Sequence, residues 1–331
     1  MPLRPFKTCL ATLACLLPLT TAAQEATSQS QRNVLLEVFS TERCTNCPAG
    51  HETLAYALGD KPNIIELVHH AGFFTDKFTI PESTKYEWFY KSDDYMSSFA
   101  PAFMTDRTHW DNLTDYYYYP NPMSMSFSSK ALKAAYAEAV AVPALAEISI
   151  TPAYDADTRL LSLDVEAEAL VATEGYEHPT LNVFLTESEV FSKTQENSFG
   201  SYYHKHMARQ CLTTTWGEGF EAGGTISRHY EVPIPDDWNA ENMSVVAFVA
   251  NYNPSSNADC RVMNTEEVKL TDTEGIVDGV TLPTAQGSPS AIFNLQGQRV
   301  CPEHQPKGAI GTAGRSLQPG IYITNGHIIK L

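Results

Sequence analysis

The sequence is short of positive charge and of long apolar segments, and each shortage removes a class of function. Against 39 Asp and Glu, the 331 residues hold only 22 Lys and Arg, which gives a formal net charge of −17. Such an acidic chain opposes binding to nucleic acid and to anionic lipid. Beyond the N-terminus, no apolar run reaches the roughly 20 residues that a membrane-spanning helix needs. No GxSxG, Walker A or GxGxxG motif follows a candidate strand, so nothing points to a serine hydrolase, a phosphate loop or a nicotinamide site.

The first 23 residues have the pattern of a secretory signal peptide. Two basic residues precede an apolar stretch from Cys9 to Thr20, and small residues follow it up to Ala23. We therefore expect a signal peptide over 1–23 and a short disordered leader over 24–32. Cys15 leaves a lipoprotein alternative open, although the leucine expected three positions before a lipidated cysteine is missing.

Export changes what the cysteines can do. Cys9 and Cys15 would leave with the signal peptide, so five of the seven cysteines would remain in a compartment where disulfides form. We expect the pairs Cys44–Cys47 and Cys211–Cys260, with Cys301 left single. Spacing alone does not fix the second pair.

Cys44 and Cys47 stand between an apolar run, 33–40, and a helical stretch that continues through 51–58. A strand that runs into CxxC and then into a helix is typical of a thioredoxin-like unit. The helix dipole would stabilise a thiolate at the first cysteine and lower its pKa. A second apolar strand at 64–69 completes a β–CxxC–α–β arrangement.

Pro101 and His70 are the other candidate site residues. Pro101 follows Ala100 and precedes an apolar strand, as the cis-proline of thioredoxin-like chains does, so we expect a cis Ala100–Pro101 bond beside the sulfurs. His70 ends the second strand, at the edge where sites of α/β folds collect, and could tune the thiolate. A loop histidine bonded only to backbone is the alternative for His70.

After Pro143 the pattern changes to period two, which predicts the antiparallel strands of a β-sandwich. A loop-rich section at 191–220 interrupts them, and a polar linker at 273–290 follows. The predicted fold class is therefore α/β plus all-β. A thioredoxin-like domain over 33–142 would precede an immunoglobulin-like β-sandwich over 145–272, and a small C-terminal β module over 291–331 would end in a hairpin at Asn325-Gly326.

Several stretches together resemble the outer membrane protein 28 family of Bacteroidetes-type bacteria. They are LLEVFSTERCTNCPAG (35–50), HHAG (69–72), APAFMTDR (100–107), LTESEV (185–190), YYHKHMARQ (202–210), WGE (216–218) and VVAFVAN (245–251). The resemblance covers about 33–272 and implies the thioredoxin-like and immunoglobulin-like pair of domains, with export to the cell envelope. The last section, with FNLQGQRV and LQPGIYI, resembles the C-terminal sorting domain of type nine secretion, which implies passage through that secretion machinery.

Two functions remain open. In one, the protein is a surface or outer-membrane binding protein, with the sandwich and the aromatic segment 71–98 contacting an unknown ligand. In the other, it is a thiol–disulfide oxidoreductase for exported proteins, in which Cys44 attacks and Cys47 resolves. Val38 occupies the position of the usual buried carboxylate, and Glu37 faces the other side of the strand, which weakens the second hypothesis. We expect no cofactor, no metal and no nucleic acid partner, no membrane span in the mature chain, and a location at the outer membrane or cell surface, with the periplasm as alternative.

Overall fold

The computed structural model describes residues 31–72, 74–90, 98–110, 123 and 128–271, together with the backbone of five short strands beyond them. The predicted signal peptide, most of the predicted leader, and Cys301 lie outside the described residues.

The first half of the chain alternates short strands and helices. Its strands are β1 (Val34–Ser40), β2 (Ile64–His70) and β3 (Ala102–Thr105), and its helices are α1 (Cys47–Leu58), α2 (Pro81–Lys85) and α3 (Ser129–Ala141). All seven residues of β1 are buried, as its continuous apolar pattern requires for a strand covered on both faces. The Ser128 side chain caps α3 by accepting a hydrogen bond from the Ala131 backbone N–H.

The second half is built of strands. They are β4 (Ala146–Asp155), β5 (Leu160–Ala169), β6 (Pro179–Glu187), β7 (Val190–Ser192), β8 (Tyr202–His204), β9 (Met207–Cys211), β10 (Glu218–Gly219), β11 (Thr225–Pro233), β12 (Met243–Asn251) and β13 (Val262–Lys269). In β5 every second residue from Leu161 to Ala169 is buried, which is the predicted period of two.

One mixed sheet runs through both halves, in the order β13-β12-β6-β9-β2-β1-β3, with β10 added beside β6. The short strand β9 makes the connection, since it pairs with β2 at Val68 and Met207 and with β6 on its other side. The far edges also approach each other, because the Val262 backbone N–H donates to the Asp106 carbonyl at 2.9 Å.

The predicted fold class, α/β plus all-β, is therefore wrong. The structure is mostly β, and no self-contained thioredoxin-like α/β unit over 33–142 is evident among the described residues. The strands β1 and β2 do lie parallel and flank α1, but β2 continues through β9 into the strands that were predicted to form a separate sandwich. The physical reason is that the polar segment 207–211 is a central strand and not part of a loop.

Three clusters of buried hydrophobic residues cover the two faces of this sheet. A second sheet, β11-β5-β4, packs against β6 and β12, while α1 and α3 pack against Leu36, Val38 and Val68. The opposite face, which carries Leu35, Phe39, Phe184 and Phe248, is covered by the aromatic segment that follows α2. Tyr86, Phe89 and Tyr90 of that segment are all buried, so these rings belong to the core and not to a ligand surface.

Five strands lie beyond residue 271. They are β14 (Ile276–Val277), β15 (Val280–Thr281), β16 (Ile292–Asn294), β17 (Ile321–Thr324) and β18 (His327–Lys330). β17 and β18 pair antiparallel with Thr324 opposite His327. The predicted Asn325-Gly326 turn lies outside the described residues. The sorting role of this segment stays a prediction.

Within the described ranges, no helix combines the length and the apolar character needed to cross a membrane.

Candidate functional site

The Cys44–Cys47 disulfide lies at the edge of the sheet where β1 ends. Strand β1 stops at Ser40, and α1 begins at Cys47 with Pro48 in its first turn, where a missing backbone N–H does no harm. The two cysteines are joined, with their Cα atoms 5.3 Å apart. The second sulfur therefore sits at the N-terminal end of a helix, where the dipole favours negative charge.

Both cysteines are nevertheless buried, with 3% of Cys44 and 1% of Cys47 exposed. The cover is the β7–β8 hairpin with its loop, residues 190–204, which we call the clasp. Because so little of either cysteine is exposed, the disulfide is shielded from solvent in the described part of the chain.

The clasp is fastened first to Glu42, two residues before Cys44. The hydroxyls of Ser192 and Thr194 both donate to the Glu42 carboxylate, the second at 2.7 Å. The backbone N–H of Glu196 donates to the Glu42 carbonyl at 2.8 Å. Lys77 lies 3.1 Å from the same carboxylate and balances its charge.

Three further hydrogen bonds reach the CxxC itself. The Gln195 side-chain amide donates to the Cys44 carbonyl at 3.1 Å, and the Asn197 amide donates to the Thr45 carbonyl at 3.2 Å. The Thr45 hydroxyl in turn donates to the Glu196 carboxylate at 2.9 Å. Residues 194–197 therefore lie along the loop that carries the disulfide.

His70 is fixed by a carboxylate and not by backbone alone. Its Nδ1 lies 2.7 Å from an oxygen of Asp76, and the same oxygen accepts the Glu42 backbone N–H at 2.7 Å. Burial alone would raise the pKa of Asp76, but the hydrogen bond and charge of His70 and the N–H groups of Glu42 and Phe78 lower it to about 2. Asp76 thus links His70 to the loop that precedes Cys44.

Two more histidines lie beside His70. The rings of His70 and His204 are 4.6 Å apart, and the Nε2 atoms of both are buried without a hydrogen-bond partner among the described residues. His51 on α1 lies 3.1 Å from the Ser40 hydroxyl. Burial, with the charge that neighbouring histidines would carry, lowers the pKa of His51 to about 4 and that of His204 to about 3. His51 and His204 are therefore neutral at ordinary pH. We call His51, His70 and His204 together the histidine group.

The side chains around the histidine group do not form a ligand set for a metal ion among the described residues. No set of three or more His, Cys, Asp or Glu side chains in the described residues has an arrangement that could hold an ion. The rings of His70 and His204 are packed edge to face, at 75°. His206, which the sequence placed near His204, has a left-handed backbone with φ 49° and lies between β8 and β9.

Pro101 lies at the same sheet edge as the disulfide. The Ala100–Pro101 peptide bond is cis. The next residue, Ala102, pairs with Phe39 near the end of β1, so the proline is level with the point where the chain turns towards Cys44.

Glu37 does not supply the carboxylate that Val38 lacks. Its side chain is buried with Arg107, whose guanidinium donates to both carboxylate oxygens at 2.8 and 2.7 Å, and with His69 at 3.3 Å. This network lies on the aromatic-covered face of the sheet, away from α1. Burial would raise the pKa of Glu37, but the charge and hydrogen bonds of Arg107 lower it to about 2.

The predicted Cys211–Cys260 disulfide is wrong. Both thiols are free, and each donates to a nearby backbone carbonyl: Cys211 to Thr213 at 3.5 Å and Cys260 to Ser256 at 3.5 Å. Burial raises the pKa of Cys211 to about 11, which favours the protonated and less nucleophilic form of this thiol at neutral pH. Local hydrogen bonds satisfy both thiols, and sequence spacing could not show this.

The sequence analysis missed the residues that build the cover. Glu42, Asp76 and Gln195 carry no motif, and Gln195 lies 151 positions from the cysteine whose carbonyl it contacts. A signal was present only for Asp76, which has the residue type of a histidine partner and lies six positions after His70.

Comparisons with known proteins agree with an envelope protein. The family model described as outer membrane protein Omp28 matches residues 122–274, a range that does not include the disulfide. No curated protein matches the chain.

Among solved structures, HBP35 of Porphyromonas gingivalis is similar over 91% of this chain and 98% of its own, with a TM-score of 0.59 and 20% identity. At that identity the likeness shows a shared fold only. A domain of the outer membrane lipoprotein Omp28 from Porphyromonas gingivalis matches 38% of this chain and 88% of its own at 21% identity, but its TM-score of 0.26 carries no argument. The family match supports an Omp28-like protein, located at the outer membrane or cell surface.

Proposed function

We propose that the protein is a binding protein of the outer membrane or cell surface in which the Cys44–Cys47 bond is a structural brace. The burial of both cysteines, in a loop that the clasp holds by hydrogen bonds, carries this proposal. Thiol–disulfide exchange needs direct attack of a thiolate on a disulfide sulfur, so a covered bond is poorly placed for turnover.

The outward face of the clasp is the surface we assign to the ligand. Phe191 and Tyr203 are paired across β7 and β8, with ring centroids 5.3 Å apart, and they are 44% and 52% exposed. Phe199 at the tip is fully exposed. Exposed aromatic pairs on a fixed hairpin offer apolar area at low entropic cost, which suits a peptide or sugar surface.

The reduction potential of the disulfide tests the brace. A structural bond should lie below about −300 mV, and the double variant Cys44→Ser/Cys47→Ser should lose about 2 kcal/mol of unfolding free energy, the entropy of so short a loop. The variant should keep its affinity for isolated outer membranes. A potential between about −120 and −270 mV, the range of oxidoreductases, would contradict the proposal.

Thiol–disulfide oxidoreductase activity on exported proteins is the second candidate, and one observation favours it. Cys47 begins α1, and the positive end of a helix dipole is a setting that lowers thiol pKa values. In this function Cys44 would attack, Cys47 would resolve, and the backbone beside Pro101 would pair with the substrate strand. Cys47→Ser should then trap mixed disulfides with exported proteins, and the absence of any trapped protein would count against this candidate.

The C-terminal segment is proposed to engage the type nine secretion machinery. Its hairpin strands, β17 and β18, match the form that the sequence resemblance implies. Deletion of 287–331 should leave the protein in the periplasm, as fractionation and surface proteolysis would report. Unchanged surface exposure after the deletion would refute this role.

A further inference from the structure

We infer that residues 194–197 of the clasp occupy a peptide-binding groove beside the disulfide, and that its external ligand is an extended polypeptide segment. This inference rests on the proposed binding function and adds, beside the aromatic surface on the outward face of the clasp, a second site with its own ligand class. Residues 194–197 would then be an internal occupant that a partner chain displaces, while β7 and β8 stay paired.

The groove is defined by main-chain acceptors. The carbonyls of Glu42, Cys44 and Thr45 all point at the clasp, and each accepts one hydrogen bond from it. One donor is a backbone N–H and two are side-chain amides, those of Gln195 and Asn197. Any extended chain can present such donors, because backbone N–H groups repeat along it.

A carboxylate adds selectivity to the groove. Glu42 is buried and accepts the hydroxyls of Ser192 and Thr194, while Lys77 lies beside it. The groove therefore suits a polar segment that carries hydroxyl and primary amide side chains, as the clasp sequence SKTQENSF does.

Residues 194–197 can leave the groove while the β7–β8 hairpin stays in place. The clasp is paired with itself over β7 and β8, three residues each, and the loop 193–201 that joins these strands is neither helix nor strand. Asn197, Phe199 and Gly200 all have left-handed backbone, with φ 61°, 53° and 97°. Lys193, Thr194, Glu196 and Asn197 are exposed, so the loop contributes hydrogen bonds and little apolar burial.

A trimmed clasp provides the direct test. Residues 193–201 are replaced by Asn-Gly, which joins Ser192 and Tyr202, a cross-strand pair, through a two-residue hairpin turn. Circular dichroism and thermal unfolding check that the variant is folded. The probe is a fluorescein-labelled synthetic peptide of residues 192–199, and its fluorescence anisotropy is measured on titration with protein.

We expect saturable binding to the trimmed variant and binding at least about tenfold weaker to the full chain, whose tethered segment competes at a high effective concentration. A peptide in which Gln195 and Asn197 are both replaced by alanine should bind the trimmed variant about tenfold more weakly than the native peptide, since two hydrogen bonds are lost. A folded trimmed variant without saturable binding would overturn the inference, as would equal binding of the two peptides.

A second variant keeps the test available if the trimmed chain does not fold. In the full chain, Gln195→Ala/Asn197→Ala should bind the native peptide more tightly than wild type and should speed reduction of the disulfide by dithiothreitol. Lys193→Ala, exposed on the same loop, is the matched control and should change neither quantity. No change in the double variant would overturn the inference, whereas the proposed function fails only if outer-membrane binding or the low reduction potential is absent.

Discussion

At the residue scale, Glu37 and Arg107 form an ion pair that is buried in the core. Both side chains are almost fully buried, and the guanidinium also lies 4.7, 5.0 and 4.8 Å from the ring centroids of Tyr86, Phe89 and Phe248. A buried charge that has lost its partner still carries the full free-energy cost of its removal from water. The pair therefore ties the aromatic segment after α2 to the middle of the sheet.

Removal of one partner should be severe. Glu37→Gln leaves Arg107 charged and buried, so we expect a loss of about 3–5 kcal/mol in the free energy of unfolding, measured by urea denaturation. The double variant Glu37→Leu/Arg107→Met buries no charge and should recover most of that loss. A loss below about 1 kcal/mol in Glu37→Gln would show that the ion pair has no such role.

The histidine group predicts how stability depends on pH. Because burial lowers the pKa values of His51 and His204 to about 4 and about 3, below the ordinary value of about 6.5, the unfolded chain binds protons that the folded chain excludes. Their contribution to stability is present above about pH 6.5 and is lost as the pH falls towards about 4. His204→Phe keeps a ring and should reduce the acid-induced loss between pH 7 and 4.5 by on the order of 2 kcal/mol, measured by denaturation at both pH values.

His229 is the control for that experiment. It is half-exposed, and its hydrogen bonds to the Asp164 and Glu231 carboxylates raise its pKa, which is the opposite direction. His229→Asn should not reduce the acid-induced loss. An equal effect of the two substitutions would mean that burial at His204 is not the cause.

At the element scale, the clasp takes part in both the proposed structural brace and the proposed binding surface. Its inner residues hold the disulfide loop, and its outer rings, Phe191 and Tyr203, face solvent. We expect Phe191→Ala/Tyr203→Ala to weaken binding to isolated outer membranes at least about tenfold, as loss of a paired aromatic anchor does. Sedimentation with purified membranes measures this.

Tyr56→Ala is the matched control for the ring pair. Tyr56 is 78% exposed on α1, and the Lys133 ammonium of α3 lies 5.1 Å from its ring centroid. This substitution should leave membrane binding unchanged. Equal weakening by Tyr56→Ala would indicate nonspecific adhesion of exposed aromatic rings.

The sequence predicted the elements whose evidence is local. The apolar run of β1, the helix after Cys47 and the alternation in β5 are each readable within about ten residues, and each is present. Among the strands missed in the section predicted to be loop-rich, β9 matters most for the fold, and MARQC has neither an apolar run nor alternation. Its identity as a strand depends on partners such as Val68, far away in the chain, and no local pattern reports them.

At the scale of the whole molecule, that one strand decides the architecture. With β9 taken as loop, the chain divides near Pro143 into two domains. With β9 paired on both sides, β1, β2 and β3 join β6, β12 and β13 in one sheet with one buried face. The candidate site shows the same dependence, since Cys44 and Cys47 are visible in the sequence but their cover comes from residues 190–204 of the other half. Long-range pairing, and not local propensity, therefore determines how accessible the disulfide is.

The continuous sheet predicts that the first half does not fold alone. A fragment of 31–142 would lose β9 from the edge of β2 and would expose Leu35, Phe39 and Leu67, which pack with Phe184 and Phe248 of the second half. Arg107 would also lose the Phe248 ring and much of its cover. We expect this fragment to show no cooperative urea transition and little amide protection in hydrogen exchange, whereas 31–272 should unfold in a single transition. Cooperative unfolding of 31–142 by itself would mean that the predicted boundary near residue 142 separates independent domains after all, with β9 docking onto a sheet that is already formed.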